Sequence, residues 1–286
     1  MSVRELSPPI PKAGVMGWPI GHSLSPRLHG FWLQKLGLAG SYEALPVRPE
    51  DLAVSLRGLQ DRGFCGVNLT VPHKVAACAI VDELDPTARR IGAVNLVTVE
   101  KQGRLFGRNT DAYGFTQNLL AGGFKAERGA AFVLGAGGAC RAVIVALVDM
   151  GFGEIRIANR TLERAEKLAR EFAAPSCKIS VAAWDEAPQA LPNIDLLVNT
   201  TSLGMKGQPA LEFALDALPT TAFVTDIVYA PLETDLLRRA KLRGNRAIDG
   251  LGMLLHQARP AFKAFFGRDP QVTEELRRYV LEDKSC

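Results

Sequence analysis

Gly135-Ala136-Gly137-Gly138-Ala139 follows the apolar run Ala131 to Leu134, and a helical stretch, a second apolar run and Asn159-Arg160-Thr161 come after it. A strand that feeds a glycine turn and a helix N-terminus presents unpaired backbone N–H groups and the positive end of a helix dipole, which is what a pyrophosphate requires. The spacing therefore predicts a dinucleotide site. Sites that take NAD place an acidic residue about 20 residues beyond the turn, against the ribose hydroxyls. Here Arg160 stands in that place with no acidic residue beside it, and a guanidinium attracts a 2′-phosphate. The expected cofactor is NADP(H). The third glycine position of the fingerprint holds Cys140, so the strand-turn-helix context carries the expectation more than the turn alone.

A second group of polar residues lies earlier in the chain: Ser23 and Ser25 in His22-Ser23-Leu24-Ser25-Pro26, then Asn68, Thr70 and Lys74 in Asn68-Leu69-Thr70-Val71-Pro72-His73-Lys74. In an extended segment Asn68 and Thr70 share a face. Pro72 suits the first turn of a following helix, which sets Lys74 near the same strand end. Hydroxyls, an amide and an ammonium gathered there suit a polyol carboxylate. Ser25 before Pro26 also reads as an ordinary helix N-cap, Asn68 as a turn-closing residue, and His22 and His73 as loop residues rather than catalysts. A lysine in the first turn of a helix opposes the dipole, so a purely structural role for Lys74 is the less natural reading.

These groups need elements to position them. Before residue 110 short strands alternate with helical stretches: strands at Ala13 to Gly17, Ser41 to Val47, Gly66 to Thr70, Val94 to Val99 and Arg104 to Phe106, and helices at about Pro26 to Leu36, Pro49 to Arg62 and from Pro72. Asp111 to Leu120 reads as a helix broken by Gly122-Gly123. Strands follow at Ala131 to Leu134, Glu154 to Ala158, Ile179 to Ala182, Asp195 to Asn199, Phe223 to Val228 and Arg246 to Ile248, with a helix over Arg141 to Met150 and closing helices over Leu251 to Phe266 and Val272 to Leu281. The fold class is α/β with two domains: an N-terminal α/β substrate domain, residues 1–110, and a Rossmann-like NADP-binding domain, residues 123–249. A linking helix occupies 111–122, and C-terminal helices, 250–286, return to the substrate domain.

Composition excludes several classes. With 47% hydrophobic side chains over 286 residues, the chain buries a large core. No apolar run approaches the roughly 20 residues of a membrane span, and Met1 to Lys12 carries prolines and charges where a secretory leader has an apolar core. A cytoplasmic location is expected, with no membrane partner. The five cysteines, Cys65, Cys78, Cys140, Cys177 and Cys286, form no C-x-x-C pair and read as reduced thiols. A catalytic thiol at Cys65 has only Lys74 nearby in sequence to activate it. The four histidines lack paired spacing for a metal, and none is expected. A net charge of +4, mixed along the chain with few aromatics, fits a small anion and not a nucleic acid tract. Monomer and homodimer are equally compatible with the sequence.

Together the motifs are specific. Ser23-x-Ser25-Pro26, Asn68-x-Thr70-x-Pro72-x-Lys74, Gly92-Ala93-Val94-Asn95, Asn109-Thr110-Asp111, the Gly135 to Ala139 turn, Asn159-Arg160-Thr161 with Arg164, Thr201 to Met205, Asp226-Ile227-Val228-Tyr229 and Gly250-Leu251-Gly252-Met253 through Gln257 resemble the shikimate dehydrogenase family over nearly the whole chain. The resemblance implies reversible NADPH-dependent reduction of 3-dehydroshikimate to shikimate, a step of aromatic amino acid biosynthesis, with Lys74 and Asp111 as the catalytic pair. It further implies Ser23 and Ser25 at the substrate carboxylate with Tyr229 nearby, and Asn68, Thr70, Asn95, Asp111 and Gln257 at the ring hydroxyls. For the cofactor it implies Gly135, Ala136, Gly137, Gly138 and Ala139 at the pyrophosphate and Asn159, Arg160, Thr161 and Arg164 around the 2′-phosphate. Ile227, Gly250 and Met253 would line the nicotinamide. Arg164, flanked by Glu163 and Glu166, also reads as part of a solvated helix face. Leu96 stands where the family often has threonine, and Cys140 where alanine or serine is more familiar. A quinate/shikimate dehydrogenase would share both catalytic residues, with the two serines favouring shikimate. A non-catalytic NADP-sensing module would be expected to lack the lysine or the aspartate, and both are present.

Overall fold

A computed structural model describes residues 10–125 and 129–282. Cys286 and residues 1–9 of the charged N-terminal stretch lie outside the described residues. The chain divides into two compact units, residues 1–109 with 258–286, and residues 110–257.

The first unit is built on six strands: β1 (Lys12–Gly17), β2 (Ser41–Pro46), β3 (Phe64–Leu69), β4 (Glu83–Leu84), β5 (Leu96–Val99) and β6 (Leu105–Arg108). Their spatial order is β2-β1-β3-β5-β6-β4. β1 lies parallel between β2 and β3, and its residues after Lys12 are all buried, the apolar run expected of a strand covered on both faces. β5 enters antiparallel to β3, with Asn68 opposite Leu96. Around the sheet lie α1 (Ser25–Lys35), α2 (Leu52–Arg57) and α3 (Pro86–Ile91). Met16, Leu45, Leu52, Leu56, Leu59, Phe64, Val67 and Val97 form the core on one face.

Several local readings change here. Ser25 is not an N-cap: it is the first residue of α1, and its own N–H donates to the Ser23 hydroxyl at 3.3 Å. The helix expected over Pro49 to Arg62 is a 3-10 turn, Pro49–Asp51, followed by α2, which ends at Gly58. No α-helix starts at Pro72. The Lys74 carbonyl accepts from the Val94 N–H at 2.8 Å, so a tertiary bond takes the acceptor that a helix would have used, and only a 3-10 turn over Ala76–Ala79 forms. The additional helix α3 is capped by Asp85, whose carboxylate accepts from the Ala88 N–H at 2.5 Å, and it ends at Gly92 with φ +68°.

The second unit contains α4 (Asp111–Ala121), β7 (Ala130–Leu134), α5 (Gly138–Asp149), β8 (Glu154–Ala158), α6 (Leu162–Glu171), β9 (Lys178–Ala182), β10 (Leu196–Asn199), β11 (Phe223–Asp226), α7 (Asp235–Leu242), β12 (Arg246–Ile248) and the first turns of α8 (Leu251–Phe266). The strand order β12-β11-β10-β7-β8-β9, all parallel, reverses direction between β7 and β10. That is the doubly wound arrangement whose switch point hosts nucleotides. Cys140 is fully buried in the first turn of α5, where the Thr200 side chain hydrogen-bonds it and burial pushes its thiol up to about 12. A small side chain is what this position accommodates.

The helix Asp111–Ala121, expected as a linker, belongs to this second unit, and the division falls within α8, after Gln257, rather than at residue 250. The reason is close helix packing: a Cβ on Gly114 would sit 2.6 Å from Gln257 Cβ and 2.7 Å from the Met253 carbonyl. The Asn118 amide also donates to the Asp249 carbonyl at 2.8 Å. The remainder of α8 and α9 (Glu274–Leu281) join the first unit. There Ala261 and Phe265 pack with Ala13 and Leu96, and Trp32 donates to the Gln271 carbonyl at 3.2 Å. No helix among the described residues is long and apolar enough to cross a membrane.

Candidate active site

In the first unit, parallel strands bring Ser23, Asn68 and Thr70 to one end of the sheet. Ser23 follows β1, while Asn68 and Thr70 mark the C-terminal end of β3, where the Thr70 N–H donates to the Met16 carbonyl at 3.0 Å. Because β5 runs the other way, its N-terminal end meets the same end of β3, and the Leu69 N–H donates to the Asn95 carbonyl at 2.9 Å. The Asn68 amide donates to that carbonyl too, at 3.0 Å. Asn68, Asn95 and Ser25 are buried, whereas Ser23, Thr70 and Lys74 are half-buried. Asn68 lies within β3 and closes no turn. His73 is satisfied structurally: its Nε2 pairs with the Val47 carbonyl at 2.8 Å, and burial holds its imidazole below the usual range. Burial raises the Cys65 thiol, which disfavours a nucleophilic thiolate.

In the second unit Asp111 is buried at the first position of α4. The preceding residue, Thr110, donates through its hydroxyl to Gln257 Oε1 at 3.3 Å, so Gln257 stands at the same helix start. Burial raises the Tyr229 phenol above its ordinary range. Tyr229 follows a loop anchored by Asp226, a buried carboxylate that accepts from the Val228 N–H (3.0 Å), the Asn199 amide (3.0 Å) and the Thr234 hydroxyl (2.8 Å). Burial nevertheless raises Asp226 above its ordinary value, the three donors offsetting part of the effect. Ile227 and Gly250 meet closely: a Cβ on Gly250 would lie 2.4 Å from the Ile227 carbonyl. Met253 is buried on the first turn of α8.

At the switch point a cavity of about 220 Å³ is lined by Gly135, Ala136, Gly137, Asn159, Arg160, Trp184, Thr200, Thr201, Ser202 and Leu203. Gly135 has φ +106°, and a Cβ there would sit 2.7 Å from Thr200 Oγ1, so only glycine makes the turn without strain. Gly137 precedes α5, faces open space, and no acidic side chain occupies the first turn of that helix. Those features match a bound phosphate. Gly138 and Ala139 form the first residues of α5. The Asn159 amide donates to the Thr161 carbonyl at 2.8 Å, folding the chain after β8 into the start of α6, on which Arg164 is exposed. Glu166 pairs with Arg170 instead, and among the described residues neither Arg160 nor Arg164 has an ion-pair partner. An uncompensated guanidinium lining the phosphate cradle, as that of Arg160 does, is what an adenosine 2′-phosphate needs. Trp184, Thr200 and Thr201 were not among the expected site residues. They come from segments remote in sequence; the polar run Asn199-Thr200-Thr201-Ser202 after an apolar strand marks the place of the two threonines, and Trp184 lies outside that run. No cluster of three or more metal-ligating side chains occurs among the described residues.

Two family profiles match the chain, the "Shikimate dehydrogenase substrate binding domain" over residues 15–97 and "Shikimate / quinate 5-dehydrogenase" over residues 120–206. A protein of Paramagnetospirillum magneticum named "Shikimate dehydrogenase (NADP(+))" is 56% identical over 271 residues, covering 94% of this chain and 97% of that one. The chain belongs to the shikimate dehydrogenase family. Within that family, the structure of shikimate 5-dehydrogenase from Thermus thermophilus in complex with NADP(H) and shikimate is similar at a TM-score of 0.85 and 42% identity, covering 95% of this chain and 100% of that chain. Quinate dehydrogenase from Corynebacterium glutamicum in complex with NAD reaches the same TM-score at 30% identity, with 94% and 97% covered. The α/β fold with a substrate domain and a Rossmann-like domain agrees with the expectation from sequence.

Proposed function

We propose that the chain is an NADP-dependent shikimate dehydrogenase that interconverts 3-dehydroshikimate and shikimate. The observation that carries this reading is the 56% identity, across both units, to a protein named "Shikimate dehydrogenase (NADP(+))". The gathering of Ser23, Asn68, Thr70 and Asn95 at one sheet end and Arg160, without an ion-pair partner, by the glycine turn support it. When bound, NADPH supplies a hydride to the ring ketone. Lys74 gives its proton to the ketone oxygen as the hydride arrives and takes it back in the oxidative direction, and its charge stabilises the developing alkoxide. Asp111 serves as the carboxylate of the pair. Ser23 and Ser25 hold the substrate carboxylate with Tyr229 beside it, and Asn68, Thr70, Asn95 and Gln257 hold ring hydroxyls. Gly135 to Ala139 would cradle the pyrophosphate, Asn159, Arg160, Thr161 and Arg164 the 2′-phosphate, and Ile227, Gly250 and Met253 the nicotinamide. The enzyme acts on small molecules in the cytoplasm.

The test is nicotinamide absorbance with purified protein, offering shikimate and quinate separately with NADP and with NAD. Reduction with shikimate and NADP is the expected result; preference for quinate or NAD would move the protein to the quinate branch, and no turnover would overturn the reading. Charge-assisted hydrogen bonds contribute about 1.5–3 kcal/mol each, so losing two of them in Arg160→Ala with Arg164→Ala is expected to raise the NADPH KM by roughly 10²- to 10⁴-fold, leaving NADH use little changed. Equal losses with both cofactors would place the 2′-phosphate elsewhere.

A further inference from the structure

Tyr42, on β2, carries no role in the reading above, yet its hydroxyl meets two residues of the proposed substrate site. It donates to Asn68 Oδ1 at 2.7 Å, and the Ser25 side chain hydrogen-bonds the phenol in turn. The Asn68 amide donates on its other side to the Asn95 carbonyl at 3.0 Å. An asparagine amide has two N–H donors and one carbonyl acceptor. With Oδ1 held by a phenol donor and one Nδ2 hydrogen held by a carbonyl, the amide has a single allowed orientation. A flip would set Oδ1 against the Asn95 oxygen and the NH₂ against the phenol's own O–H. One Nδ2 hydrogen remains for a ligand.

The ring of Tyr42 is fixed independently of its hydroxyl. It stacks on His29 with centroids 3.9 Å apart and planes within 5° of parallel, and Phe265 lies at 6.2 Å. Packing therefore holds the ring, and the hydroxyl is the part of the side chain that reaches the site. We propose that Tyr42 is a positioning residue for the substrate: it locks the Asn68 amide with its free N–H toward a ring hydroxyl and couples that amide to Ser25. The proposal rests on the function proposed above, because it needs Asn68 to hold substrate.

A double-mutant cycle tests it, using wild type, Tyr42→Phe, Asn68→Ala and the double variant, with KM and kcat for shikimate, KM for NADP, and thermal unfolding measured on each. Tyr42→Phe keeps the stacked ring and removes only the hydroxyl. The expected result is a shikimate KM raised by on the order of 10-fold, kcat within a few-fold, NADP KM unchanged, and a double variant no worse in shikimate KM than Asn68→Ala alone. A merely structural tyrosine would lower the unfolding temperature and leave the shikimate KM where it was, which overturns the proposal. So do additive KM effects, which would make Tyr42 independent of Asn68. Wild-type protein that oxidises no shikimate with NADP overturns the underlying function, and the positioning role with it, before any variant is compared.

Discussion

Lys74→Ala is expected to lower kcat by on the order of 10²- to 10⁴-fold, the usual worth of a positioned proton donor, with the fold and NADP affinity intact. The backbone around this lysine is held without its side chain. Its carbonyl receives the Val94 N–H at 2.8 Å, and His73 beside it is anchored both by its own N–H, which donates to the Thr70 carbonyl at 2.9 Å, and by its ring on Val47. Truncation therefore removes an ammonium and leaves the loop in place. Single-turnover hydride transfer and thermal unfolding, measured on the same preparation, check this; an alanine variant with wild-type turnover would sink the assigned role. Lys74→Arg separates two contributions. An arginine keeps the positive charge and does not give up its proton near neutral pH. Recovery of most of the rate by arginine would assign Lys74 to electrostatic stabilisation, and a rate as low as alanine's would assign it to proton transfer.

The second large effect concerns stability. His29, on α1, is fully buried against Tyr42, Trp32 and Phe262, and neither ring nitrogen has a hydrogen-bond partner among the described residues. Burial lowers its pKa from 6.5 to about 3. Between those values the unfolded chain binds a proton that the folded chain refuses, so stability rises with pH across the window. The contribution is fully present above pH 6.5 and is lost progressively as the pH falls toward 3, at about 1.4 kcal/mol per unit and on the order of 4–5 kcal/mol in all. His29→Phe keeps an aromatic ring in the stack and removes the titration. Urea midpoints measured from pH 8 to pH 4 should fall less steeply in the variant. The carboxylates held low by their donors, Asp82 by the Leu105 N–H and then Arg57, and Asp235 and Asp269 by arginines, act alike in both proteins and cancel in the difference. Parallel curves would show that the folded protein accommodates a charged His29.

What was legible in the sequence divides along the range of the interactions concerned. β8, β12 and α8 begin and end where their residue patterns predict, because strand alternation and helical periodicity are local signals. The glycine turn and Asn159-Arg160 were readable for the same reason, lying on consecutive elements of one βαβ unit. The segment after Pro72 was not: its residues resemble a helix start, and the bond from Val94, 20 residues ahead of Lys74, decides otherwise. Ser25 has the composition of a cap, yet its own N–H is the group being capped, by Ser23. α3 had its signals, Asp85-Pro86 before it and Gly92 after it, but its six residues carry too little periodicity to stand out. Tyr42 had none, since a tyrosine in a strand reads as packing until its hydroxyl is seen on Asn68.

The antiparallel entry of β5 bears on how this sheet end tolerates change. Asn68 and Asn95 lie 27 positions apart in the sequence, but their spacing is measured across one rung of a ladder, from Asn68 to Leu96, and not along the path that joins them. The intervening chain is slack with respect to that measurement. A few residues inserted at exposed Ala79, downstream of the Lys74 carbonyl bond and upstream of α3, lengthen the detour without changing the rung, so evolution or a protein engineer can remodel that excursion while the two amides keep their register.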